Sequence, residues 1–222
     1  MTAGAQAVGS LLAAAAEWRL LALLFSRPRP GWADEVGALA REVEDGALRG
    51  AAAAARDAGE GAYHALLGPG GPASAREAAH LGFADPGRAL ADLAARYAAF
   101  GFAPRTEEPD DHLAVQCDFA GYLFLKEAYA LSAGQEVQRE VTREARTRFL
   151  SEHAAVLGRR FASRLPDGAP RHLAAAAACL VARLPDAPPL PEDVPEAEPP
   201  GCAGPACGEG WGEPGLGGPL QR

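Results

Sequence analysis

Three observations on the sequence predict an all-α fold, a single multi-helix bundle. The 222 residues contain no Ile or Asn and only nine Val and four Thr, while Ala is abundant, so residue preference leans to helix over strand. Apolar residues recur at three- and four-residue spacing along most of the chain. No stretch of useful length alternates with the period of two that a half-buried strand requires. Hydrophobic residues make up 48% of the chain and charged residues 23%, enough apolar surface for one core of ordinary domain size.

The elements follow in order. Ser10 is placed to cap a first helix in which Leu11, Ala15, Trp18, Ala22 and Phe25 share a face, and Pro28 and Pro30 stop it. Trp32 to about Asp45 sets Val36, Leu39 and Val43 on one stripe. Alanine-rich sequence from Ala47 continues as helix through Tyr63, Leu66 and Leu67, with Gly59 and Gly61 as breaks. "GPGGPAS", Gly68 to Ser74, is a loop without the terminal Gly-Lys-Ser/Thr of a phosphate-binding loop. A helix begins at Pro86, aligns Leu90, Leu93, Tyr97 and Phe100, and ends at Gly101. The next runs through Leu113, Ala120 and Ala128 to Leu131, closed by Gly134. Gln135 to Leu165 lines up Val141, Ala145, Phe149, His153 and Phe161 before Pro166, and Pro170 to Leu184 makes a last alanine-rich helix.

Residues 1–186 therefore form the helical domain. From Ala187 to Arg222, nine of 36 residues are Pro and eight are Gly, the composition of an acidic, disordered tail. The net charge of −8 is concentrated there: seven acids against one base from Asp186 onward leave the rest of the chain at −2. A basic field for nucleic acid is absent, which excludes that class of partner. At the N-terminus, Glu17 and Arg19 interrupt the apolar run and no positive charge precedes it, so an amphipathic helix is expected in place of a signal peptide. No uninterrupted apolar stretch approaches the ~20 residues of a membrane span. A cytoplasmic protein without membrane insertion is the expectation.

Catalytic and metal chemistry find little support. None of the six serines lies in a Gly-x-Ser-x-Gly turn, and Cys117 has no cation in the adjacent helical turns to activate it. The histidines His64, His80, His112, His153 and His172 fall one per segment, with no His-Glu-x-x-His. Cys202 and Cys207 in the tail make half a zinc site at best. No metal and no cofactor is expected.

One stretch stands apart, "EEPDDHLAVQCDFAGYL", Glu107 to Leu123. Pro109 suits the first turn of a helix, and Glu107, Glu108, Asp110 and Asp111 would then sit at the positive end of its macrodipole, worth about 0.3–1 kcal/mol each if exposed. A catalytic carboxylate pair is the competing reading. His112 is pulled two ways, since the dipole disfavours its cation while the neighbouring acids favour it. An Asp–His pair at a helix start offers donors and acceptors to a partner.

The stretch resembles the signature of the TorD/DmsD family of redox-enzyme maturation chaperones, which includes the nitrate reductase delta-subunit type. "LLALLFSRPRP" looks like that family's early Leu-rich helix, "YHALLGPGGPASAREAAHLGF" like its loop region, and "FLSEHAAVLGRRFASRL", with His153, like its late helix. The similarity is collinear from Leu11 to Leu184. Asp110 stands where a second proline is frequent, Leu157 replaces a usual Trp and Cys117 a usual Leu. The resemblance implies a non-enzymatic, cofactor-free chaperone, monomeric or homodimeric. Its implied partner is the apo catalytic subunit of a molybdenum enzyme, with an N-terminal leader that often carries a twin-arginine signal. It also implies a peptide-binding surface built from Asp111 and His112, shaped by Pro109 and Glu108 and lined by Leu113 and Gln116, with Asp111 available to a leader arginine. Two readings of other classes stand beside it: a metal-dependent helical enzyme using Asp111, His112 and His153, and a structural assembly subunit.

Overall fold

The computed structural model describes residues 3–68, 70–80 and 85–186. Its α-helices are α1 (Ala3–Phe25), α2 (Trp32–Ala40), α3 (Gly46–Ala54), α4 (Glu60–Leu67), α5 (Pro86–Phe100), α6 (Leu113–Ser132), α7 (Glu136–Phe149), α8 (Ala155–Arg164) and α9 (Arg171–Val181). Short 3₁₀ turns cover Ala55–Asp57 and Glu77–His80, and a π-turn, Leu150–Ala154, joins α7 to α8. Among the described residues there is no strand, and the body is all-α as the composition predicts. The tail, with Cys202 and Cys207, lies outside the described residues.

Helices α1 and α6 form the central pair. Trp18, Leu20, Leu21, Leu24 and Phe25 of α1 are buried, and α6 buries most of its circumference, leaving open the stripe of Asp118, Tyr122, Leu125 and Tyr129. Gly121 permits the closest approach: a Cβ there would lie 3.1 Å from the Ala15 carbonyl oxygen and 3.3 Å from the Arg19 amide. An aromatic cluster joins α5, α6 and α7, with the Phe119 ring 4.7 Å from Tyr97 and 4.8 Å from Phe149.

Several boundaries differ from the periodicity reading. Helix α1 starts at Ala3, and Ser10 is interior, its hydroxyl donating to the Gln6 carbonyl instead of capping. By length and composition α1 is long and apolar enough to cross a membrane. The periodicity reading ended that run at Glu17 and Arg19, but both charges are accommodated by ion pairs, to Arg183 (3.0 Å) and to Asp118. Helix α2 stops at Ala40, because Asp45 opens α3 by accepting from the Leu48 amide at 2.9 Å. Helix α5 starts at Pro86 and ends at Gly101 in the left-handed conformation (φ 66°), as the sequence indicates, and Asp85, which the sequence reading did not single out, caps it.

Candidate functional site

The stretch from Glu107 onward does not start as a helix. Residues 109–112 form a turn closed by the His112 amide donating to the Pro109 carbonyl at 2.8 Å, and α6 begins only at Leu113. No acid lies in its first turn, so the expected charge cap on the macrodipole is not formed. The carboxylates have other partners. Glu107 pairs with Arg27 (2.7 Å), and Glu108 accepts from the Tyr63 hydroxyl (3.1 Å). Asp111, fully buried, accepts from Arg76 Nε (2.5 Å) and from the Ala78 amide (3.0 Å).

These contacts set the turn on a strap formed by residues 73–80. The Leu113 amide donates to the Ala75 carbonyl (2.8 Å) and the Glu77 amide to the Asp111 carbonyl (3.1 Å). From the other side, the Tyr97 hydroxyl of α5 donates to the Asp110 carbonyl at 2.8 Å. Every polar group of the turn named here is thereby satisfied without water.

His112 is the N-cap of α6, a role its periodicity does not announce. Its Nδ1 accepts from the Ala114 amide (3.1 Å), which puts the ring proton on Nε2, 3.2 Å from the Tyr63 hydroxyl. A relay results: His112 Nε2–H to Tyr63 Oη, and Tyr63 O–H to Glu108. Burial holds the imidazole below its ordinary pKa, against the opposing charges of Glu108 and Asp111, so the ring is neutral. Burial and Glu108 also push the Tyr63 hydroxyl well up, which keeps its proton in place.

Behind the turn lies a second polar group. Gln116 Nε2 donates to Glu77 (2.6 Å), Glu77 faces His153 Nδ1 at 3.0 Å, and His153 Nε2 faces Asp92 at 2.8 Å. A ring with a carboxylate at each nitrogen carries both protons. Burial opposes that charge, but the hydrogen bonds the ring donates to Glu77 and Asp92, with the charge of Glu77, outweigh it and raise the pKa above the ordinary value. Nothing in the spacing marks Tyr63, Arg76, Glu77 or Asp92 as site residues. Tyr63 comes from α4 and Arg76 and Glu77 from the strap, all within the quoted loop-like segment, while Asp92 of α5 reaches the group through His153.

The predicted residues thus separate. Asp111, His112, Leu113 and Gln116 are buried behind the turn, while Pro109 is exposed and Glu108 reaches the surface. Asp111 and His112 adjoin, but His153 belongs to Glu77 and Asp92. Among the described residues no group of three His, Cys, Asp or Glu is arranged to hold a metal ion. Cys117 is buried, and its thiol is pushed up by burial, the opposite of activation.

In front of the turn runs a groove in two parts. The first, about 460 Å³, is walled by Arg19, Arg27 and Arg29 on the α1 side and by Arg105, Glu107, Glu108 and Asp118 on the other, over Ala22, Leu23 and Val115. The second, about 630 Å³ and mainly apolar, is lined by Leu12, Ala15, Ala16, Phe102, Tyr122 and Leu125. Arg19, Arg105 and Asp118 line both, so the two parts adjoin. Leu12 and Leu125 are large apolar side chains left 45% and 48% exposed at its edge.

An all-helical body with an amphipathic groove has a surface of the kind that takes the apolar face of a peptide helix. The comparison with known families makes this specific: the family model described as nitrate reductase delta subunit matches residues 29–163, more than half of the chain. The chain belongs to that family, the delta-subunit type of the TorD/DmsD chaperones that the Glu107–Leu123 stretch resembles. It is a family of molybdoenzyme maturation chaperones that bind a molybdoenzyme catalytic subunit and is not known as catalytic. No curated protein and no solved structure matches the chain.

Proposed function

We propose that this protein is a cytoplasmic chaperone that binds the apo catalytic subunit of a molybdopterin oxidoreductase through its N-terminal leader. It holds the subunit until the cofactor is inserted and only then releases it to assembly or export. The groove is the docking surface: its apolar part receives the apolar face of a leader helix, and the Glu108 carboxylate receives the leader's basic head. The observation that carries this reading is the state of Glu108. Its carboxylate reaches the groove, its near neighbours are the Tyr63 hydroxyl and a neutral imidazole, and no Arg or Lys pairs with it among the described residues. An uncompensated carboxylate in an amphipathic groove is a place for a guanidinium.

This moves the arginine-binding role from Asp111 to Glu108. Asp111 is committed to Arg76 and Ala78, and with His112, Leu113 and Gln116 it forms the frame that presents Glu108 and Pro109. The test is titration of the full chain with a synthetic leader peptide bearing a paired-arginine head and an apolar run. Glu108→Gln should weaken binding about tenfold, ~1.4 kcal/mol, and flatten its salt dependence. Equal affinity and equal salt slope for both proteins would remove Glu108 from the interface.

A further inference from the structure

We infer that His153 is a positioning residue for the turn 107–112, clamping from behind the two elements on which that turn rests. One element is the strap. Glu77, 3.0 Å from His153 Nδ1, belongs to the same short segment whose Arg76 and Ala78 hold the Asp111 carboxylate, and its own amide bonds the Asp111 carbonyl. The other is α5. Asp92, 2.8 Å from His153 Nε2, lies on the helix whose Tyr97 hydroxyl holds the Asp110 carbonyl. His153 is the side chain that bonds both.

The backbone under His153 is built for this reach. Residues 150–154 form a π-turn, a one-residue expansion of the helix that re-aims the side chains within it. In a regular helix adjacent side chains diverge by about 100°. Here both Glu152 and His153 reach α5: Glu152 pairs with Arg96 at 2.6 Å and His153 with Asp92, while Arg96 itself pairs with Asp92 at 2.8 Å. The Phe149 ring stacks on the imidazole at 5.7 Å and backs it from the core.

The charges facing the ring are Glu77 from the strap and Asp92 with Arg96 from α5, and Gln116 of α6 completes the group without charge. With both nitrogens protonated, the ring donates to both carboxylates. Loss of one proton leaves a single donor. Glu77 is buried and retains it, whereas the half-exposed Asp92 turns to Arg96 and water. The clamp then opens on the α5 side. Because this raised pKa is a gain on folding, the clamp is whole below the ordinary imidazole value of 6.5 and is lost as pH rises through the higher folded value.

The inference rests on the proposed docking role of the turn for its functional meaning, and its test has a readout independent of any client. Amide hydrogen exchange of the full chain, corrected for intrinsic chemistry, is followed across pH. The Glu77 and Leu113 amides should be protected below pH 6.5 in the native protein, and that protection should fall by about an order of magnitude at alkaline pH. In His153→Gln, which donates through one group without charge, protection of these amides should be low and flat with pH. Asp92→Asn, a change at the half-exposed rim, should shift the loss to lower pH. Equal protection in native and His153→Gln protein at every pH overturns the clamp. So does a loss spread evenly over all the helices. Paired-arginine leader affinity is then measured over the same pH range. A failure of the native protein to bind at any pH counts against the docking role, and the exchange result still judges the clamp.

Discussion

Replacing Asp111 separates a framing residue from a contact residue. The Asp111 side chain is 1% exposed and accepts two hydrogen bonds, one from a guanidinium and one from a backbone amide. A hydrogen bond to a charged group contributes about 1.5–3 kcal/mol, and an abandoned buried amide costs about 1–3 kcal/mol. The guanidinium share is discounted because Arg76 is 39% exposed and regains water. Asp111→Ala should therefore lower unfolding free energy by about 2–4 kcal/mol, and Asp111→Asn, which keeps an acceptor for the Ala78 amide, by about 1 kcal/mol. Urea denaturation of the three proteins measures this, with an unchanged slope showing that the cooperative unit is intact. In the same series, leader affinity should fall in proportion to the lost framing. Native-like stability in Asp111→Ala combined with abolished binding would refute the frame and return Asp111 to direct contact.

Two helix glycines packed against a neighbouring helix, Gly121 and Gly158, should behave differently. Gly121→Ala brings its Cβ within 3.1–3.3 Å of α1 backbone, which cannot yield without moving the helix pair, so a loss of about 1–3 kcal/mol is expected by thermal denaturation. Gly158→Ala meets only the ends of Leu180 and Leu184 at 2.9 Å, and the gain of about 1 kcal/mol in helix propensity should offset their displacement. Stability against pH should have two limbs meeting near 6.5. His112 and His172, held neutral by burial, destabilise the fold as pH falls below 6.5, and the His153 clamp is lost as pH rises above it. His153→Gln should erase the alkaline limb alone, read as denaturation midpoints at intervals of pH.

Helix existence was legible because it depends on spacing within the chain. Pro86 and Gly101 bracket α5 through their own backbone preferences, and no distant residue is needed to explain either. Where a boundary depends on a competing local bond, periodicity runs past it. The apolar stripe through Val43 continues, yet the Asp45 carboxylate captures the Leu48 amide and restarts the helix. The Glu107–Leu123 stretch fails in the same way at larger scale. Four acids before an apolar run look like a dipole cap, but the strap offers Asp111 a guanidinium and an amide at once, and these outweigh a surface charge–dipole interaction of at most about 1 kcal/mol.

The Glu107–Leu123 motif was read as a surface, and most of the residues it names are buried. Its most distinctive pair, Asp111 and His112, is distinctive because burial leaves little choice: one side chain must satisfy the strap, the other must cap α6 and orient Tyr63. Glu108, the contact proposed for the leader, is held more loosely, by a single hydroxyl at 3.1 Å and with no Arg or Lys paired to it among the described residues. In this motif the buried residues build the frame, and under the proposed docking role the neighbour they hold in position meets the partner. For this chain that neighbour is a carboxylate, so the frame-and-partner reading stands or falls on whether a basic leader head feels Glu108 before it feels Asp111.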